Sequence, residues 1–197
     1  LHSLIAQVDE HFDNYEPTKA ARLISSFVTE DLSNWYVRLS RRRFWKGTYE
    51  EDKISAYQTL YTCLISVAKL MAPIAPFYAD RLYQDLDATT EKEQYASVHL
   101  AYFPTANNQC IAAGLEKKMQ LAQRIVSLVL SIRKKEKIKV RQPLQKVLIP
   151  ALDSQEKQAI LEVSDLIAAE VNVKTIEILD DASSILVKEI NPNFKTL

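Results

Sequence analysis

Glycine is almost missing from this chain of 197 residues, which contains only Gly47 and Gly114. A Walker loop, a GxGxxG turn and the glycine-rich nests that cradle phosphates all need closely spaced glycines. The sequence therefore excludes nucleotide binding of those types.

Cysteine and histidine are also scarce. The two cysteines, Cys63 and Cys110, lie far apart and belong to no CxxC or Cys/His set, so we expect neither a structural metal nor a disulfide framework. Cys63 falls in an apolar helical pattern, which predicts a buried, reduced thiol and a cytoplasmic protein. The three histidines never occur at i, i+4 spacing, and no GxSxG motif is present.

Further function classes are excluded by what the chain lacks. No apolar run is long enough to span a bilayer, and no cationic leader precedes an apolar signal core. The acidic groups at Asp9-Glu10 and Glu50-Glu51-Asp52 flank helix starts and turns, where solvated carboxylates are expected, so we assign no catalytic residue. The chain begins without Met and already at helical period, which predicts a segment of a longer protein.

Helical periodicity dominates the chain as far as Arg141, and short β-branched runs follow it. We predict a mainly α fold, with a helical bundle over residues 1–140 and a small α/β subdomain over residues 141–197. The predicted helices are one ending near Pro17, then Lys19–Lys46 closed by Gly47, Glu50–Met71, a short one to Leu86, Leu115–Lys135 and Ser154–Glu170. The predicted strands lie in KVLIPAL, VKTIEIL and ILVKEI.

The long predicted helix carries the most unusual stretch, DLSNWYVRLSRRRFWKG. At 100° per residue, its core-facing side is predicted to hold Ala21, Ile24, Val28, Leu32, Trp35 and Leu39. A neighbouring stripe begins with Leu23 and Phe27 and then changes to polar chemistry at Asn34, Arg38, Arg41 and Trp45, while Arg42, Arg43 and Lys46 add charge at the helix end.

This concentration of charge indicates an anionic partner. Four arginines and a lysine lie between Arg38 and Lys46 with no acid among them, which exceeds what the helix dipole needs and leaves like charges to repel. Phe44 and Trp45 supply π faces, and guanidinium groups beside aromatic rings grip phosphates while stacking on unpaired bases. RNA fits this pattern better than a membrane does, because the apolar side is needed by the bundle.

A second basic cluster follows at the end of the Leu115–Lys135 helix, in IRKKEKIKVRQPL. The net charge of the chain is zero, so any affinity for a polyanion must come from such local clusters. Two cationic helix ends in a neutral chain favour a polyanion-binding surface.

The block EDLSNWYVRLSRRRFW, from Glu30 to Trp45, resembles the anticodon-binding helical domain of class I isoleucyl-tRNA synthetases. The resemblance extends over almost the whole chain, through AYQTLYTCLISVAKLMAPIAPFYADRLYQDL, SVHLAYFP, IKVRQPL and the tail that ends in EVNVKTIEIL. It implies a bundle that holds the anticodon stem-loop of tRNA(Ile), while isoleucine, ATP and Mg²⁺ react in a catalytic domain elsewhere in the same chain.

The resemblance also limits what this segment is expected to do. HIGH and KMSKS signatures are absent, so we expect the segment to be inactive alone and to bind no cofactor of its own. We expect a cytoplasmic monomer without membrane or DNA partners. The cysteine-rich zinc module of many bacterial isoleucine enzymes is also absent, so either the parent has a different C-terminal extension or that module lies further along.

The stripe and the resemblance together predict two groups of tRNA contacts. The main group is Asn34, Arg38, Arg41, Arg42, Arg43, Trp45 and Lys46, and the weaker group is Arg133, Lys134, Lys135 and Lys137. An alternative is a docking module, in which Asn34, Trp35, Tyr36 and the arginines pack on the catalytic domain or an acidic protein and little RNA is bound. A third possibility, that the segment is itself an enzyme, would require ATP–pyrophosphate exchange by the isolated chain.

Overall fold

The computed structural model describes the chain in three stretches, residues 1–46, 48–151 and 153–179. These residues form two compact units, one from Leu1 to Ile111 and one that begins at Ala112. The first is helical, and the second combines helices with a two-stranded sheet. The prediction of a mainly α chain with a small C-terminal α/β part is confirmed. Gly47 and the predicted strand Ile185–Ile190 lie outside the described residues.

The compact units divide earlier in the chain than the predicted domain boundary between residues 140 and 141. The difference arises from the long helix that the sequence analysis grouped with the bundle. In the structure that helix packs against two short helices of the second unit, because its apolar stripe needs their side chains as cover. The assignment of domains 1–140 and 141–197 stays a prediction.

Several helices of the first unit begin with residues that favour a helix N-terminus. Pro17 and Pro76 stand in the first turns of their helices, where a missing N–H costs nothing. Glu51 and Asp52 place negative charge at the start of another helix, where the helix dipole favours it. The bounds are α1 His2–Asp13, α2 Pro17–Ser26, a π-helical segment Phe27–Val37, α3 Arg41–Trp45, α4 Glu51–Met71 and α5 Pro76–Thr90.

The single helix predicted for Lys19–Lys46 is wrong in its second half. After α2 the chain winds as a π-helix, whose hydrogen bonds reach back five residues, so a wheel drawn at 100° per residue no longer places its side chains. Leu32 is buried there, whereas Trp35 and Leu39 are only half buried. At Ser40 the backbone leaves helical geometry, with ψ at 4°, and α3 begins at the next residue.

Two apolar clusters form the core of the first unit. One joins α1, α2 and α4, and the other joins α4, α5 and the turn around Val98. Cys63 of α4 is buried, as predicted, and burial raises the pKa of its thiol. The buried members are Leu4, Ile5, Val8, Ala20, Ile24, Val67 and Leu70 in the first cluster, and Ile65, Ala68, Ala79, Tyr83 and Val98 in the second.

Beside the second cluster, the carboxylate of Glu93 interacts with one ammonium group and two hydroxyl groups. Lys69 Nζ lies 2.7 Å from Glu93 Oε2, the Tyr83 hydroxyl donates to the same oxygen at 3.2 Å, and the Tyr61 hydroxyl donates to Oε1 at 3.3 Å. Burial, followed by the negative charge of Glu93, raises the pKa of Tyr83 to about 12. Both tyrosines therefore act as neutral donors: Tyr61 fastens the segment after α5 to α4, and Tyr83 fastens it to α5.

The second unit is a small α/β arrangement. Its strands β1 (Leu144–Pro150) and β2 (Val173–Leu179) pair in parallel, with Leu144 opposite Val173 and Pro150 opposite Leu179. A parallel pair needs a crossover connection, which the helices between the strands provide. The one helix predicted for Ser154–Glu170 is interrupted at Val163, and the observed helices are α6 Ala113–Lys135, α7 Ser154–Glu162 and α8 Ser164–Val171.

Arg133 of α6 is the largest fully buried side chain, with 2% of its surface exposed. Its guanidinium donates to three backbone carbonyls, those of Lys139 at 3.2 Å, Gln142 at 3.1 Å and Asn172 at 3.0 Å. Ile132, the apolar residue directly before it, is 60% exposed. The position facing the unit's interior is thus polar, and it ties the end of α6 to the start of both strands.

We expect Arg133→Met to reduce the free energy of unfolding by about 2–4 kcal/mol, because buried carbonyls would lose their donor. Urea unfolding followed by circular dichroism measures this change. Lys134→Met removes a neighbouring exposed charge and is expected to stay within about 0.5 kcal/mol of the wild type. Equal stability of the two variants would contradict a structural role for Arg133.

The raised pKa of Tyr83 predicts a loss of stability at alkaline pH. The folded state holds the phenolic proton more tightly than the unfolded chain, so this contribution is complete below pH 10 and disappears as the pH rises from 10 to about 12. In Tyr83→Phe the free energy of unfolding should fall less over that interval, as measured by urea titrations at each pH. Tyr15→Phe alters an exposed ring and should keep the wild-type pH profile; an unchanged profile for Tyr83→Phe would refute the assignment.

Candidate nucleic-acid interface

The short helix α3 is held against α4 by an aromatic cluster centred on Phe44. The Phe44 ring meets the rings of Tyr36 and Tyr57 edge to face, with centroids 6.3 and 5.1 Å away. The Tyr57 hydroxyl donates to the Phe44 carbonyl at 3.3 Å, and the Tyr36 hydroxyl donates to the Ala56 carbonyl at 3.0 Å. Phe44 is buried, so the expectation that its ring would stack on RNA is wrong: its ring is needed in the core.

A second attachment joins α3 to the first turn of α4. Arg43 Nε donates to Asp52 Oδ2 at 2.9 Å, and Arg43 Nη2 donates to Asp52 Oδ1 at 2.7 Å and to the Asp52 carbonyl at 3.1 Å. This two-pronged pairing raises the pKa of Arg43 above its ordinary value. Arg43 therefore has an acidic partner that lies outside the block in which the sequence analysis looked for one.

The other side chains of the basic block face solvent. Trp45 is 80% exposed, and the Arg41 guanidinium carbon lies 6.0 Å from the centre of its ring, within the range of a cation–π interaction. The two tryptophans differ in exposure, as predicted, because Trp35 is half buried whereas Trp45 is open to solvent. The remaining exposed members of the predicted main group are Asn34, Arg38, Arg42 and Lys46.

The electrostatics of α3 follow from this arrangement. Asp52 offsets the charge of Arg43, whereas Arg41 and Arg42 on α3, and Lys46 directly after it, carry exposed charges. Like charges held so close repel one another, and an anion in contact with them would relieve the repulsion. The surface is therefore suited to a phosphate backbone, with an aromatic face available beside the cations.

The second predicted group is only partly available to a ligand. Lys134, Lys135 and Lys137 are exposed at the end of α6, where Lys137 takes the left-handed conformation with φ at 56°. The Ile138 N–H donates to the Arg133 carbonyl at 2.8 Å, which closes the helix end. Arg133 itself is buried and engaged with backbone carbonyls, so its guanidinium cannot reach a phosphate and it is removed from the predicted contacts.

The sequence analysis missed one pairing of an exposed aromatic ring with a lysine, in the residues that follow α3 along the chain. The Lys53 ammonium lies 5.6 Å from the centre of the Tyr49 ring, and that ring is 76% exposed. An aromatic residue followed four positions later by a lysine was visible in YEEDK, but the acids between them concealed the pattern.

The part of the chain that the structure describes contains neither a metal-binding cluster nor a membrane-spanning helix. No group of three or more His, Cys, Asp or Glu side chains there is arranged to hold a metal ion. None of the helices in the same residues has the length and apolar character needed to cross a membrane.

Comparison with known proteins assigns the chain to a family. Residues 1–148 match the family model described as the anticodon-binding domain of tRNA ligase. The chain is 56% identical to the isoleucine–tRNA ligase of Bacteroides fragilis and 39% identical to that of Thermus thermophilus, in each case over all 197 residues. The isoleucine–tRNA ligase of Porphyromonas gingivalis is 55% identical over the same length.

These relatives are much longer than the chain, which spans 17% of the Bacteroides and Porphyromonas enzymes and 19% of the Thermus enzyme. The family match covers the whole helical unit, including the aromatic cluster, the Arg43–Asp52 pair and the exposed cations of α3, and it continues through α6. The chain belongs to the family of anticodon-binding domains of tRNA ligases.

Proposed function

We propose that this chain binds the anticodon stem-loop of tRNA(Ile) as a segment of an isoleucine–tRNA ligase. The observation that carries the proposal is the exposed surface at α3, where Arg41 lies beside the exposed ring of Trp45 and Arg42 and Lys46 add exposed charges. The family match and the identity to isoleucine–tRNA ligases support it.

The chemistry of this surface favours RNA over protein docking. A docking face that packs on another protein buries an apolar centre and depletes charged residues there. The exposed side of α3 has the opposite character, with several exposed cations and one exposed aromatic ring. Phosphate contacts then supply affinity, and stacking on Trp45 favours unpaired bases over a closed duplex.

The full-length protein would attach isoleucine to tRNA(Ile) with ATP and Mg²⁺, in its catalytic part and in the cytoplasm. Within that protein the present chain would contribute RNA binding without a catalytic residue. Its partners would be tRNA(Ile) and the catalytic part of the same chain. Asn34 and Arg38, together with the lysines at the end of α6, would add contacts to those of α3.

We expect the double substitution Arg41→Glu/Arg42→Glu to weaken binding of a tRNA(Ile) anticodon stem-loop by at least about tenfold at low salt. It should also lower the slope of log affinity against log salt by about 2, one for each lost phosphate contact. Both quantities come from fluorescence anisotropy titrations at several salt concentrations. These residues suit the test better than Arg43, whose replacement would also release Asp52.

The matched control is Arg22→Glu, which reverses the charge of an exposed arginine on α2. It should leave both the affinity and the salt slope close to those of the wild type. Unaltered binding by the double variant would refute the α3 surface as the RNA site, and a wild-type chain without salt-dependent RNA affinity would refute the proposed function.

We further expect Asp52→Asn to weaken binding by about two- to fivefold, although it removes a negative charge near the RNA. The reason is that Asp52 anchors Arg43 and thereby helps to hold α3 in place. Asp85→Asn disrupts another exposed arginine–aspartate pair, with Arg81 of α5, and serves as the control. Tighter binding by Asp52→Asn would instead show that Arg43, once released, contacts phosphate directly.

A further inference from the structure

Two exposed aromatic rings near α3 each carry a cation. Trp45 is 80% exposed beside Arg41, and Tyr49, four residues later, is 76% exposed beside Lys53. Single exposed apolar side chains are common on protein surfaces and need no explanation. A repeated combination of an open ring and an adjacent cation within the thirteen residues from Arg41 to Lys53 is more specific than that.

The other cation–aromatic contacts in the described stretches differ in burial. Lys69 lies 5.7 Å from the ring of Tyr83, which is fully buried, and Lys92 lies 5.8 Å from the ring of Tyr61, which is partly buried. Those two rings pack wholly or partly against the protein. Most of the surface of Trp45 and of Tyr49 is exposed, so only these two among the four rings are widely open to a ligand.

The chain that carries the two rings is fastened on both sides. Phe44, directly before Trp45, is buried in the aromatic cluster, and Asp52, directly before Lys53, holds Arg43. Between them the Glu50 N–H donates to the Thr48 carbonyl at 2.9 Å. The rings are therefore presented from a segment whose ends are held, which lowers the entropic cost of ordering it around a ligand.

The spacing of the rings suits neighbouring nucleotides of one strand. Four residues of fully extended chain span at most about 14 Å, so the Cα atoms of Trp45 and Tyr49 cannot be further apart than that. Every nucleobase has a π face, and base–aromatic stacking tolerates any sequence. A lysine or arginine beside each ring is placed to meet the phosphate that accompanies each base.

We propose that Trp45 and Tyr49 form two stacking platforms for two unpaired nucleobases of the bound RNA, with Arg41 and Lys53 contacting the adjoining phosphates. This inference rests on the proposed function and extends its binding surface to Tyr49 and Lys53. It assigns to Tyr49 a role that its sequence position directly before Glu50, Glu51 and Asp52 did not indicate.

The test uses the 197-residue chain and a tRNA(Ile) anticodon stem-loop that carries 2-aminopurine at one loop position at a time. Tyr49→Ala should weaken binding by about 5- to 100-fold and should restore the fluorescence that stacking quenches at one loop position. Tyr49→Phe keeps the ring and should retain both the affinity, within about twofold, and the quenching. Lys53→Gln should lower the salt slope by about 1 while leaving the quenching in place.

Tyr15→Ala is the matched control, because Tyr15 is also a widely exposed tyrosine and lies at the other end of α2 from α3. It should change neither the affinity nor the fluorescence. Wild-type affinity and quenching in Tyr49→Ala would overturn the second platform and leave the proposed function standing. A wild-type chain that binds no stem-loop at low salt would overturn the proposed function, and the platforms with it.

Discussion

The attachment of α3 to α4 is the interaction on which the candidate interface depends. A helix of five residues is too short to persist alone in water, because so few hydrogen bonds offset the ordering of its backbone. Phe44 supplies the missing stabilisation by packing between Tyr36 and Tyr57, and the Arg43–Asp52 pair adds a directional contact. With the helix held in this way, its remaining cations and Trp45 necessarily face outward.

The two basic clusters have the same arrangement of structural and exposed cations. In each cluster one arginine serves the fold and its neighbours remain exposed: Arg43 pairs with Asp52, and Arg133 is buried among backbone carbonyls. A planar guanidinium with several fixed donors suits such anchoring better than a lysine ammonium does. The charges left at the surface include those of Arg41 and Arg42 on α3 and those of Lys134, Lys135 and Lys137 after Arg133.

Much of the fold could be predicted because its signals are local. Apolar periodicity and prolines located α1, α4 and α5, and β-branched runs located both described strands. The long helix was the main failure. A wheel assumes constant winding, and neither the π-helical turn nor the break at Ser40 has a signature in residue spacing. The stripe from Asn34 to Trp45 therefore described residues on two elements instead of one.

The sequence by itself determined the chemical character of this protein: a mainly helical chain with too few glycines for a phosphate loop, carrying clustered cations and aromatic rings that suit RNA. Only the tertiary structure decided which members of those clusters are available to a ligand. Phe44 and Trp45 are adjacent in sequence, yet one is buried and the other is 80% exposed. Arg43 and Asp52 form an ion pair although they lie on different helices, α3 and α4. Such pairings depend on packing between elements, and helical periodicity describes one element at a time.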